Sequence, residues 1–294
     1  MVYRALPSGK LSLKLALLLL ALVSVPRVGL AKDTLIWLLR DLPPLTIADG
    51  PQQGKGSIDR LMPLLIAGMP EYNHQLLHVN RARAMQMLLE PTFTCDPTLL
   101  WTPERAKHIV FSIPTYAVIS NGMVIQRRDV ERFTPFISNG EVDLQALLAS
   151  QSIRLGVVAE RSYGPVIDQI MKSALPDQLN SHYGNDAIGS LLQMERLGRV
   201  QALLSYWPEA RFQAVQQGIP VEDLLFFTVK GSPKYQFAHV GCSDTEQGRQ
   251  AMEVINRQMR ILRQTKLIEF YAEWLDPQSR EEYLQDAKAF FQSP

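Results

Sequence analysis

Cysteine is the scarcest informative residue in the chain: Cys95 and Cys242 are the only two in 294 residues. That excludes a thiolate metal cage and a small disulfide-dense fold. His74, His78, His108, His182 and His239 show no metal-ligand spacing, and there is no phosphate-cradling glycine loop or Gly-x-Ser-x-Gly elbow. Neither cysteine lies beside an evident base, so no cofactor or metal is expected. Charge of one sign is also lacking: the formal net charge is +1, and −3 without the first 31 residues, which argues against a nucleic-acid partner. Repeats, low-complexity linkers and coiled-coil heptads are absent, and past the first residues no run is apolar enough to cross a bilayer.

The N-terminus holds the one long apolar run. Arg4, Lys10 and Lys14 precede or enter it, Leu11 to Val25 carries it, and Gly29-Leu30-Ala31 offers small residues at the usual processing positions. This order predicts a signal peptide over residues 1–31 and a periplasmic product. An uncleaved anchor is the alternative, but Lys14 limits the unbroken stretch to Leu15 through Val25, short for a span. Lys32 follows the cut, which disfavours a lipid-anchored product. Loss of the leader removes four of the 30 basic residues (Arg4, Lys10, Lys14, Arg27) and none of the 29 acidic ones, leaving a formal net charge of −3. In an oxidising compartment the two cysteines are expected to pair, with two unrelated buried thiols as the alternative. A bond across 147 residues would join an early part of the fold to a late one and contribute ~3–5 kcal/mol in the chain-entropy account.

Along the mature chain short apolar segments alternate with amphipathic ones. Strands are predicted at Thr34 to Leu39, His74 to Asn80, Val118 to Gln126, Ile153 to Ala159, Val200 to Ser205, Leu224 to Val229 and Phe237 to Val240. Helices are predicted from Ser57 to Gly68, Ala82 to Glu90, Gly164 to Leu175, Asp186 to Leu197, Pro208 to Gln217, Thr245 to Arg263, Lys266 to Trp274 and Ser279 to Phe291. Such alternation means mostly parallel sheets with crossover helices, an α/β class. The mature chain divides into two lobes: residues 32–125 plus 225–294, with a C-terminal helical tail, and residues 126–224.

Thr102-Pro103-Glu104-Arg105, followed by Phe111-Ser112-Ile113-Pro114-Thr115-Tyr116, reads as a helix start running into an extended segment. Thr102 can cap the first turn, Pro103 fits the first helical position and Glu104 suits the positive end of the dipole. Arg105 is then on a fixed frame, able to grip a carboxylate with two parallel hydrogen bonds, unless it belongs to a solvated helix face.

These words, with Gly198-Arg199-Val200, the glycine-rich entry Gly54 to Asp59 and the helical return Asn256 to Leu262, resemble the periplasmic solute-binding proteins of family 3, the polar amino-acid type. The likeness runs from about Thr34 to Trp274, in a divergent branch with paired cysteines and a longer tail. It implies a type II two-lobed periplasmic binding fold with a hinge, and it gives Arg105 the role of clamping a solute carboxylate. The matching lobe-two segment is Arg161-Ser162-Tyr163-Gly164, where a strand-to-helix turn presents amides and a positive dipole end to an anion; a solvated cap is the ordinary use of such a serine. Where the family places an acid to hold an α-ammonium, this chain has Tyr206, flanked by Ser205 and Trp207, and a phenol cannot replace that counter-ion. Asp41, Trp37 and Glu209 are the candidates to compensate.

Arg40, Trp37, Trp101, Tyr206 and Trp207 suggest a cleft with aromatic walls, although a core contact explains each tryptophan equally well. The expected ligand-binding set is therefore Arg105, Ser162, Tyr163, Tyr206, Thr102, Asp41 and Trp37. The expected function is reversible, non-catalytic binding of a small carboxylate-bearing or peptide-like solute by a monomer, which hands its closed form to a membrane permease. A membrane sensor is the alternative receiver. A cleft hydrolyase using Glu160 or Glu209 as general acid is the competing class.

Overall fold

The computed structural model describes residues 2–3, 32–184 and 186–291. Apart from residues 2–3, the predicted leader lies outside the described residues. Among the described residues no helix is long and apolar enough to cross a membrane.

Residues 34–291 form a two-lobed α/β fold. The first lobe is a six-stranded sheet made of β1 (Thr34–Leu39), β2 (Asn73–His78), β3 (Thr94–Leu100), β4 (Ile109–Phe111), β5 (Tyr116–Ile119) and β13 (Tyr235–Ser243). Its order is β2-β1-β3-β13-β4, with β5 also on β13. β1 alternates its side chains between two apolar layers. Leu35, Trp37 and Leu39 join the core that contains Leu61, Leu65 and Ile255, while Leu38 joins Ala84, Leu88 and Leu99 on the other face. A strand covered on both faces reads as a continuous hydrophobic run, as this one does. The helix Ser57–Ala67 is capped at Gly56, where the Asp59 carboxylate accepts from Gly56 N (3.0 Å) and Ile47 N (2.9 Å).

The second lobe carries β6 (Gly122–Gln126), β7 (Ile137–Ser138), β8 (Glu141–Val142), β9 (Leu155–Val158), β10 (Leu179–His182), β11 (Ala202–Ser205) and β12 (Leu224–Val229) in the order β10-β9-β11-β6-β12-β8-β7. Leu155, Val157 and Leu204 pack under the helices Leu144–Ala149 and Pro165–Met171, whereas Val158 and Leu203 face Ala187–Arg196 and Trp207–Gln216. Both sheets are mixed, not mostly parallel. β6 inserts antiparallel between β11 and β12, and β13 runs antiparallel to β3, β4 and β5.

Those two insertions move the lobe boundaries expected at 125/126 and 224/225. The predicted strand Val118 to Gln126 breaks at Ser120-Asn121, leaving β5 in the first lobe and β6 in the second, and β12 pairs wholly within the second. The crossings therefore lie at 120–121 and 230–234, held together by Ser120 N to Lys234 O (3.0 Å) and Asn121 Nδ2 to Gln236 Oε1 (3.0 Å). Cys95 and Cys242 are register partners on β3 and β13, 4.0 Å apart at Cα, and are disulfide-bonded.

The tail helix Pro277–Asp286, capped by Asp276, packs beside the crossing. Tyr283 is fully buried and donates to Ala117 O (2.9 Å), and Lys234 pairs with Asp286 (2.8 Å) and Glu282 (3.2 Å).

Candidate functional site

In parallel α/β sheets the carboxyl ends of the strands open onto the crevice where ligands bind. Arg40 follows β1, Asn80-Arg81 follows β2 and the Leu100–Arg105 segment follows β3; from the other lobe, Glu160–Ser162 follows β9, Gly184 follows β10 and Tyr206–Glu209 follows β11. These segments meet around two cavities of about 20 Å³ each. The first is lined by Arg40, Asp41, Asn80, Glu209 and Gln213 and the second by Thr98, Leu100, Arg105, Ser162 and Tyr206, while Arg81 and Arg161 wall both.

Four guanidiniums thus share the cleft, and they are not equivalent. Arg40 is buried and grips Asp96 with two bonds, Nε to Oδ2 at 2.6 Å and Nη2 to Oδ1 at 3.0 Å. Arg161 does the same with Glu209, at 2.7 and 2.8 Å, each side chain 4% exposed. Burial works against the Arg161 charge, but the Glu209 carboxylate outweighs it and holds the guanidinium above its ordinary value.

Arg105 is brought to the cleft by a short turn, not a full helix. Thr102 Oγ1 accepts from Arg105 N at 3.2 Å, as a cap would, but only the 3₁₀ turn Arg105–Lys107 follows. Its guanidinium donates to Leu100 O (3.0 Å) and, across the lobes, to Glu160 O (2.9 Å). Burial and the nearby Arg40 charge lower its pKa.

Arg81 is the residue that sequence reasoning missed. It opens the helix Arg81–Leu89, capped by Asn80, and among the described residues no hydrogen bond or ion pair engages its side chain. Burial and repulsion from Arg40, Arg161 and Arg105 push its pKa well down. Its position just beyond a parallel strand was the available signal.

The other expected residues divide. Ser162 and Tyr206 line the second cavity and Asp41 the first. Burial, with Asp186, Asp49 and Glu209 nearby, raises the Asp41 carboxyl to about 6 against a bond from Ala48 N (3.2 Å). Burial raises the Tyr206 phenol.

Two residues are corrected. Trp37 lies in the first lobe's core, not the cleft, with Nε1 donating to His74 Nδ1 at 3.0 Å, because its position on β1 faces the helices. Tyr163 turns into the second lobe's core, where its hydroxyl accepts from Val158 N at 2.7 Å. The aromatic wall reduces to Tyr206 and Tyr116: Trp101 is exposed and Trp207 stacks on Phe226.

The lobe-two turn also differs from expectation. Asp168, in the first turn of the helix Pro165–Met171, accepts from Ser162 Oγ (2.5 Å) and Tyr163 N (2.7 Å). An internal carboxylate therefore takes the donors that the sequence offers to an external one. Gly164 follows at φ 102°, with Gln236 so close that a Cβ there would lie 1.9 Å from its amide nitrogen. That amide donates to Tyr163 O at 2.6 Å, another bond between the lobes.

No family model and no curated protein matches the chain. Solved structures do. A histidine kinase sensor domain with similarity to periplasmic binding proteins superposes with a TM-score of 0.65 at 13% identity, covering 83% of this chain and 96% of that one. An amino acid ABC transporter substrate-binding protein from Streptococcus pneumoniae, bound to L-arginine, gives 0.61 at 17% identity, covering 83% and 94%. An ancestral amino-acid-binding protein, a precursor of cyclohexadienyl dehydratase, gives 0.60 at 15% identity, covering 83% and 96%. The fold is that of the type II periplasmic binding proteins.

Proposed function

We propose that the chain is an extracytoplasmic solute-binding protein that closes its two lobes around a small anionic organic solute and presents the closed form to a membrane transporter. The observation that carries this reading is the meeting of Arg105 and Arg81 at the carboxyl ends of the strands, without a carboxylate partner for either among the described residues. Each side chain is partly withdrawn from water, where a charge without a counter-ion is disfavoured, and an anion bound between the lobes relieves it. Closure is then coupled to occupancy, because the same cleft is walled by residues of both lobes. The likeness to a transporter's binding protein supports delivery to a permease, and the likeness to a kinase sensor domain supports the second reading, delivery to a receptor.

Binding without catalysis fits the acids. Glu209 is engaged by Arg161 and by Ser205 Oγ (3.1 Å) as an acceptor, which leaves it ill suited to deliver a proton, and Glu160 is exposed. Mass spectrometry of small molecules released from protein purified gently from its native envelope, then calorimetry with the candidate, tests the reading. A reversibly bound carboxylate recovered unchanged is expected. Consumption of the solute by the protein alone overturns it.

A further inference from the structure

We propose that the solute carries two anionic groups, the first held at Arg105 and the second at Arg81. The inference deepens the reading of the cleft as a small-anion site and rests on it. Of the four guanidiniums in the cleft, Arg40 and Arg161 are each matched by a bidentate carboxylate, Asp96 and Glu209. Arg105 meets only the carbonyls of Leu100 and Glu160, and Arg81 meets nothing among the described residues.

Two cations therefore lack counter-ions. They sit in one crevice, because Arg81 walls both the cavity that holds Arg105 and the cavity beside it. A solute that spans the two cavities passes Arg81, and the amides of Asn80 and Gln213 line the further one as neutral donors.

Asp41 also lines that further cavity, yet it is not Arg81's counter-ion. Its carboxylate accepts from Ala48 N and, among the described residues, makes no ion pair with Arg81. Helix stability does not explain Arg81 either. A cation at the first helical position opposes the macrodipole, and this one adds the repulsion of three neighbouring guanidiniums. A second carboxylate at this point removes that penalty, which a solute with a neutral end leaves in place.

Two isosteric pairs test the claim by calorimetry at low ionic strength: glutarate against its monoamide, and L-glutamate against L-glutamine, the second pair adding an ammonium. In at least one pair the member with two carboxylates should bind the parent protein at least about tenfold more tightly. Arg81→Gln should abolish that preference, weakening the member with two carboxylates more than its amide, and Arg81→Lys should keep part of it. Equal affinity within both pairs, a preference that survives Arg81→Gln, or no binding by any of the four probes overturns the inference. The binding reading itself stands or falls separately, on the solute released from the native protein.

Discussion

Replacing Glu209 by glutamine is the sharpest probe of how the cleft is held. The change keeps the shape and one hydrogen-bonding end for Ser205 but removes the carboxylate that Arg161 engages, in a pair whose side chains are each 4% exposed. Breaking a buried pair from one side leaves an uncompensated charge and costs ~3–5 kcal/mol. At ~2–4 °C per kcal/mol for a chain of this size, the melting temperature should fall by ~6–20 °C. Asp244→Asn provides the contrast, since it breaks the ion pair with Arg249, whose partners are about half exposed, and should barely move the transition. The freed Arg161 walls both cavities, so added glutarate should restore more stability to Glu209→Gln than to the parent. Calorimetric or circular-dichroism melts read both effects. A Glu209→Gln protein that melts within about 2 °C of the parent, worth under ~1 kcal/mol, refutes the assignment of Arg161–Glu209 as a desolvated pair.

Glu195 is buried, with one carboxyl oxygen bonded to Gln126 (2.8 Å) and the other unpartnered, and burial pushes its pKa up to about 8. The folded state therefore keeps a proton that the unfolded chain releases, so stability should fall by ~1.4 kcal/mol per pH unit between the ordinary carboxyl range and pH 8; urea titrations of Glu195→Gln should lose that slope. Gly164→Ala would place a Cβ 1.9 Å from the Gln236 amide on a backbone at φ 102°, so the amide must swing off Tyr163 O and the turn is strained; the melting temperature should fall and solute binding weaken, and an unchanged melting temperature and affinity contradict the inter-lobe role of this contact. Converting Cys95 and Cys242 together to alanine removes a cross-link over 147 residues and should lower stability by ~5 kcal/mol in the loop-entropy account, measured by denaturant titration against the oxidised parent.

The sequence was most readable where local chemistry dictates local form. The alternation of short apolar segments with amphipathic helices led to two α/β lobes, and Thr102-Pro103-Glu104-Arg105 led to Arg105 on the cleft because a cap and a turn act over a few residues. It was least readable where distant segments compete for one group. Nothing near Ser162 in the chain says that Asp168 will fold back onto its hydroxyl and onto Tyr163 N. Trp37 is one of six successive strand residues whose two faces are both covered, so its neighbours do not tell core from cleft. The boundary error arose from an apolar run, Val118 to Gln126, in which only Ser120-Asn121-Gly122 marks the passage between lobes. Arg81 escaped notice because one arginine at a helix start resembles a solvated residue; only the pairing of β2 with β1 brings it beside Arg40.

Anion binding through Arg105 is tested most directly by one titration. The solute recovered from native protein is measured by calorimetry against the parent and against Arg105→Ala. Removing one partner of a desolvated charge contact costs ~2–5 kcal/mol, so affinity should fall by at least about 30-fold. A solute that binds Arg105→Ala as tightly as it binds the parent contradicts the account.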